Sequence, residues 1–184
     1  MNKFNKVFLP LAIVASMMFS NSVFADTAAE IDAAADEALV VFKKQIDGAD
    51  VFLTQSAGYL IFPRVIKAGF VVGGETGEGA LRVGGKTVDY YRTSAASFGL
   101  QAGAQAKSMV IAFMTPESLE KFRNASGWKA GVDGSVALID MGGGKSMDTQ
   151  NIKDPVVGFI FGSKGLMANL SFEGSKFSKL DKSE

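Results

Sequence analysis

The chain has 184 residues, enough for one domain with a substantial core, and its 19 basic residues balance its 19 acidic ones. That balance argues against a nucleic-acid binder, which needs a basic excess, and against attachment to anionic lipid by bulk charge alone. With no Cys and no His, disulfides, thiolate nucleophiles, thiolate metal sites and every His-dependent triad are excluded.

Residues 1–25 read as an export leader. Lys3 and Lys6 precede an apolar run, Val7 to Phe19, that is too short to cross a bilayer as a helix. Val23-Phe24-Ala25 then fits a signal-peptidase site, with cleavage after Ala25. No Cys follows the run to carry a lipid anchor. A periplasmic mature domain over residues 26–184 is therefore expected. Loss of the two leader lysines leaves 17 basic against 19 acidic residues, a net charge of −2.

Residues 27–47 predict a helix, because Ile31, Ala35, Ala38, Leu39, Phe42 and Ile46 recur at spacings that share one face. Asp26 or Thr27 suits its cap, Glu30 and Asp32 its positive end, and Lys43 and Lys44 its negative end. Gly48 suits a stop. A second, short helix is expected from about Ala49 to Gln55, and packing against a sheet is the expected role of both.

From Tyr59 onward the period changes to two. "YLIF", "AGFVVGG", "GALRVGG", "TVDYYR" and "SFGLQAGAQA" read as short strands, and "KSMVIAFM", apolar on both faces, as a central one. A third helix starts where Thr115 caps and Pro116 takes the first helical position, with Leu119 and Phe122 inward. Ser118, three places after the cap, is not the Glu of a full capping box. Strands resume in "WKAGVDGSVALID". After the loop "MGGGKSMDTQNIKDP", "VVGFIFG" and "LMANLSFEG" form a last pair around Ser163-Lys164. The expected class is α+β: a single domain whose antiparallel sheet of about eight short strands is strongly curved or closed, with two or three covering helices.

"GFVVGGETGEGALRVGGKT", residues 69–87, has the look of a phosphate loop but lacks its spacing. A Walker A loop needs glycine five residues before its Gly-Lys-Ser/Thr; here that place holds Ala80, and before Gly144-Lys145-Ser146 it holds Ile139. Neither site is followed by helix-like sequence, and no βαβ unit supports a dinucleotide fingerprint. No nucleotide binding is expected, and these glycines read as turns. Gly99, Gly103, Gly131 and Gly158, inside strand-like runs, suit bends and close backbone approaches.

"GYLIFPRVIKAGFVVGGETGEGAL", "SFGLQAGAQA", "GVDGSVALID" and "GSKGLMANLSFEGS" occur in the order found in the SYLF domain family. The resemblance spans about Ala28 to Leu180 and is to a secreted bacterial stand-alone member. It implies lipid binding rather than catalysis; eukaryotic members bind phosphoinositide-containing membranes and some bind actin. Where lipid binding in those members rests partly on a basic N-terminal helix, this helix carries Glu30, Asp32, Asp36 and Glu37 against Lys43 and Lys44. Gly134 stands where the family commonly has Ala.

The resemblance implies a periplasmic, non-catalytic module for phospholipid or another envelope amphiphile, whether on a membrane surface or as an extracted molecule. Arg64, Lys67, Lys164 and Lys176 are the candidate headgroup-binding residues, and the small and polar face of several strands is a candidate groove. A structural or protein-interaction component of the envelope is the alternative. A carboxylate hydrolase would need pairs such as Asp133 with Asp140 or Glu75 with Glu78, which sit where acids commonly serve turns. "DMGGGKSMDTQN" offers oxygens for calcium but not an EF-hand pattern. No cofactor, metal, nucleotide or nucleic-acid partner is expected.

Overall fold

The first helix, α1, covers Ala28–Gln45 and begins at a capping box: the Thr27 side chain accepts from the Glu30 backbone, and the Glu30 carboxylate accepts from the Thr27 N–H. The Thr27 N–H and then the Thr27 hydroxyl, both donating to that carboxylate, hold the Glu30 carboxyl below its ordinary value. All six residues predicted for its apolar face are buried. Gly48 turns the chain in the left-handed region, and α2 covers Ala49–Gln55. The computed structural model describes residues 26–139, 153–162 and 171–182, without the side chains of residues 70, 71 and 97–104.

Two long strands come after α2: β1 over Gly58–Val83 and β2 over Lys86–Phe113, paired antiparallel along their length. They meet at Gly84–Gly85, whose φ values of 58° and 78° give the turn that matches strand twist. A third helix, α3, covers Pro116–Asn124. Beyond it lie two-residue strands, β3 at Trp128–Lys129 and β4 at Ala137–Leu138, then β5 over Val156–Phe161 and β6 over Lys176–Leu180. Among the described residues the order is β3-β6-β2-β5-β4, with β1 on the other edge of β2. The second edge of β2 is thus shared: β6 takes residues 90–94 and β5 takes residues 108–113. All pairs are antiparallel except β4 with β5, which the long connection through residues 139–155 permits.

This is the predicted class, a single α+β domain with three helices and a strongly curled half-barrel sheet. The difference lies in continuity. The expected short runs between Tyr59 and Val83 are stretches of one strand, interrupted by register shifts at Phe62/Val65, Gly69/Val71 and Leu81/Arg82. The ribbon also folds back on itself. A Cβ on Gly58 would lie 3.0 Å from the Arg82 carbonyl oxygen, one on Gly79 would overlap the Ile61 carbonyl, and one on Gly77 that of Arg64. A Cβ on Gly69 would overlap the backbone of Val72 and Gly73. These pairs converge on residues 70 and 71, the corner of a U. Only Gly84 and Gly85 make the hairpin turn. Gly77 and Gly79, expected as turns, instead allow one arm of the strand to lie against the other.

Period-2 alternation then builds two cores. On one face Ile61, Ala80, Val110, Ala112, Val157 and Phe159 pack against α1 and α2, where the Phe159 ring lies 5.2 Å from Phe42 and 5.1 Å from Phe52. On the other, Leu60, Phe62, Leu81, Met109, Ile111 and Phe113 meet α3, Trp128 and Phe177. Phe122 of α3 is the centre there, 4.7 Å from Phe113, 4.8 Å from Tyr91 and 5.7 Å from Trp128. Each such ring contributes roughly 1.5–3 kcal/mol by burial. The Ser118 hydroxyl closes the α3 capping box that its residue type did not advertise, accepting from the Thr115 N–H at 3.4 Å. "WKAGVDGSVALID" is not a continuous strand: Gly131 at φ 86° and a hydrogen bond from the Lys129 N–H to the Asp133 carboxylate turn the chain between β3 and β4.

Candidate functional site

Three carboxylates organise the polar side chains. Asp32 of α1 accepts from Thr87 at 2.6 Å and Tyr90 at 2.8 Å, and with Asp36 it pairs with Arg82. This clasp ties α1 to the turn end of the ribbon. Burial and the Asp32 bond push the Tyr90 hydroxyl up to about 12, so it donates and is not a base. Asp89 is buried between Arg123 at 3.0 Å and Lys179 at 2.5 Å. Burial, then the charge of Asp89, push the neighbouring Tyr91 hydroxyl up to about 12 as well. Glu78 bonds Arg92 and Lys182. Burial works against its charge, but those hydrogen bonds outweigh it and hold the carboxyl below its ordinary value.

Each of these carboxylates is held by cations or hydroxyl donors among the described residues. Glu75 and Glu78, one candidate hydrolytic pair, are each committed to cations: Glu75 meets Lys107 at 2.7 Å and Lys67 at 3.8 Å. Asp133 of the other pair holds a turn, while Asp140 and the whole of the candidate calcium stretch lie outside the described residues. No cluster of three acidic residues suits a metal among the described residues. An open depression of about 540 Å³ has mixed walls, with Val88 and Leu180 beside Asp89, Tyr90, Lys179 and Lys182.

The four candidate basic residues fall in different places. Arg64 is exposed on the first arm of β1, just before the corner, with no ion-pair partner among the described residues. Lys67 lies three residues further on, at the edge of the Glu75 pair. Lys176 starts β6, opposite Ser94 of β2 and Lys129 of β3, exposed and likewise without an ion pair among the described residues. Lys164 lies outside the described residues, as do the predicted Ser163-Lys164 hairpin and the leader through Ala25. The small-residue face of "SFGLQAGAQA" belongs to a paired stretch of β2 whose side chains are mostly undescribed.

The corner adds residues that the sequence reading passed over. Val72 is 62% exposed and Ile66 37%, whereas Leu60, Ile61, Phe62, Val65, Ala80 and Leu81 of the closed arms are buried. Lys107 joins Lys67 beside Glu75 at its base. The signal was present in the sequence as a stretch without charge: residues 68–74 and 93–106 contain no Asp, Glu, Lys or Arg. Only the register, which sets Val72 against Phe98 and Gly69 against Gly103, brings the two stretches together. No described helix is long and apolar enough to cross a membrane.

Residues 94–183 match the family described as Ysc84, a Las17-binding protein actin regulator. The match runs from the middle of β2 through β6, and so includes Lys164 and Lys176 but not Arg64 or Lys67. No curated protein matches the chain significantly.

Proposed function

The chain belongs to the Ysc84 (SYLF) family through residues 94–183, a family of binding modules, and from that premise we propose that it is a non-catalytic phospholipid-binding module exported to the periplasm. Family association with lipid supports the ligand class. The observation that carries the reading is the juxtaposition on β1 of exposed apolar side chains, Ile66 and Val72, with the cations Arg64 and Lys67. A phospholipid has the same two parts, an anionic headgroup and an apolar chain. The basic residues orient the headgroup, each contributing about 1 kcal/mol near an anionic surface. Apolar contact supplies most of the affinity, since the mature net charge of −2 cannot.

Flotation of the mature protein with phosphatidylglycerol–phosphatidylethanolamine vesicles, at low and high salt, tests this. Binding is expected to favour the anionic lipid and to weaken only partly as salt rises, because screening acts on the charges alone. A variant with Arg64, Lys67, Lys164 and Lys176 all changed to Ser is expected to bind at least about thirtyfold more weakly at low salt, since Arg64 and Lys67 alone account for about 2 kcal/mol. Unchanged binding would remove those residues from the site. No binding to any vesicle would leave the chain a protein-interaction component of the envelope.

A further inference from the structure

The corner of the β1–β2 ribbon has the dimensions of an element that enters one leaflet of a bilayer, and we infer that it does so, with Lys67 and Lys107 stopping at the phosphate level. This inference rests on the phospholipid reading and specifies how the lipid is met: in the membrane surface, not as an extracted molecule.

The charge pattern carries it. Between Lys67 and Glu75 on β1, and between Arg92 and Lys107 on β2, there is no charged residue. The register sets Lys107 opposite Val65, Lys67 opposite Gln105, Glu75 opposite Ala95 and Glu78 opposite Arg92. The charges therefore form a collar across both strands at the base of the corner. Beyond the collar the described side chains are apolar or small, with Val72 62% exposed and Ala68 and Ala96 exposed as well. Phe70, Val71, Phe98 and Leu100 occupy the same stretch of ribbon in sequence.

The depth fits as well. From Lys67 to residue 70 is three residues of strand, about 10 Å at the usual rise. Interfacial elements bury their apolar part roughly 5–10 Å into the boundary between headgroups and acyl chains. A collar at the phosphates thus places the corner at the upper acyl chain. Strand pairing satisfies the backbone on either side of the corner, Gly69 with Gly103 and Val71 with Gly99, while the bulge between them leaves residue 70 and residues 100–102 without a ladder partner. Lys67 and Lys107 have long apolar stems that let their ammonium groups stay at the headgroups. Glu75 keeps the collar from being purely cationic, so apolar entry rather than charge sets the affinity.

The test places a fluorophore at the corner of the mature chain. Val72→Trp is compared with Val132→Trp, a residue 72% exposed on the turn between β3 and β4. The native Trp128 is buried and gives both variants the same background. With phosphatidylglycerol–phosphatidylethanolamine vesicles, the Val72→Trp emission is expected to shift blue and to be quenched by lipid brominated high on the acyl chain. Val132→Trp is expected to do neither. Val72→Asp is expected to lower vesicle affinity about tenfold or more, as loss of a buried valine plus entry of a charge requires. Vesicle binding with equal, unquenched emission from both variants would overturn the insertion while leaving the lipid reading in place. No vesicle binding by the wild type would overturn both. A blue shift at Val72→Trp without vesicles, growing with protein concentration, would assign the corner to a second copy of the chain instead.

Discussion

The two ends of one ribbon meet opposite fates. In the closed arms, Leu60, Ile61, Phe62, Ala80 and Leu81 are buried, and backbone approaches backbone so closely that Gly77 and Gly79 have no room for a methyl group. At the corner the same two strands stay paired on either side of the bulge at residue 70, yet Val72 and Ile66 face outward and the nearest atom to a Cβ on Gly74 would be the Ala95 carbonyl oxygen at an ordinary 3.7 Å. Both regions hold ladder pairs interrupted by a register shift, so pairing does not explain the difference. Coverage explains it: α1, α2, α3 and the short strands pack against the arms, and the corner runs past them. Apolar sequence in the arms is therefore accounted for by stability, while apolar sequence at the corner is not.

That contrast is open to direct attack. The largest loss is expected in the covered region, where Phe122→Ala should cost about 3–5 kcal/mol in urea denaturation, because Phe122 touches Phe113, Tyr91, Trp128 and Phe177 at once. A glycine pair sharpens the comparison within a single strand. Gly79→Ala should cost about 1–3 kcal/mol, since the new methyl would meet the Ile61 carbonyl and neither backbone is free to yield. Gly74→Ala should stay within about 0.5 kcal/mol of the wild type. Equal losses at the two glycines would mean that the arms do not approach each other as closely as the Gly79–Ile61 contact requires.

How much of this was legible beforehand depended on the range of the signal. α1 was legible because its face is written in six residues at helical spacing, although the sequence left its cap between Asp26 and Thr27 and did not show that Glu30 closes a capping box. The hairpin turn was legible in Gly84-Gly85, and "KSMVIAFM" announced a strand covered on both faces. What was hidden was the fold-back of β1. Alternation of side chains reports that a run is extended, but a bulge shifts the phase and a bend leaves no local mark. Gly77 and Gly79 looked like loop residues because the room they leave is filled by Arg64 and Ile61, more than a dozen positions earlier. The site was legible only in part for the same reason. Arg64 and Lys67 stood out as charges after an apolar run, whereas Lys107 and Val72 acquired meaning only through register.

A smaller effect probes the polar fastening of the arms. The Glu78 carboxyl titrates below its ordinary value of 4.5 in the folded chain, held there by Lys182 and Arg92. Its contribution is therefore present above pH 4.5 and lost as pH falls through the lower, folded value. Glu78→Gln should cost about 1–2 kcal/mol at neutral pH, and the gap from the wild type should close in acid. A gap that stays constant down to about pH 3 would show that the carboxylate charge is not what binds these side chains together.

The smallest effect on stability is expected at the corner, and there it should be joined to the largest effect on lipid. The decisive measurement is one variant, Ile66→Ser with Val72→Ser, taken through urea denaturation and vesicle flotation on the same preparation. A denaturation midpoint equivalent to within about 0.5 kcal/mol of the wild type, together with loss of most vesicle binding, is the predicted result. A large fall in stability, or vesicle binding that survives the change, would contradict the assignment of the corner to lipid.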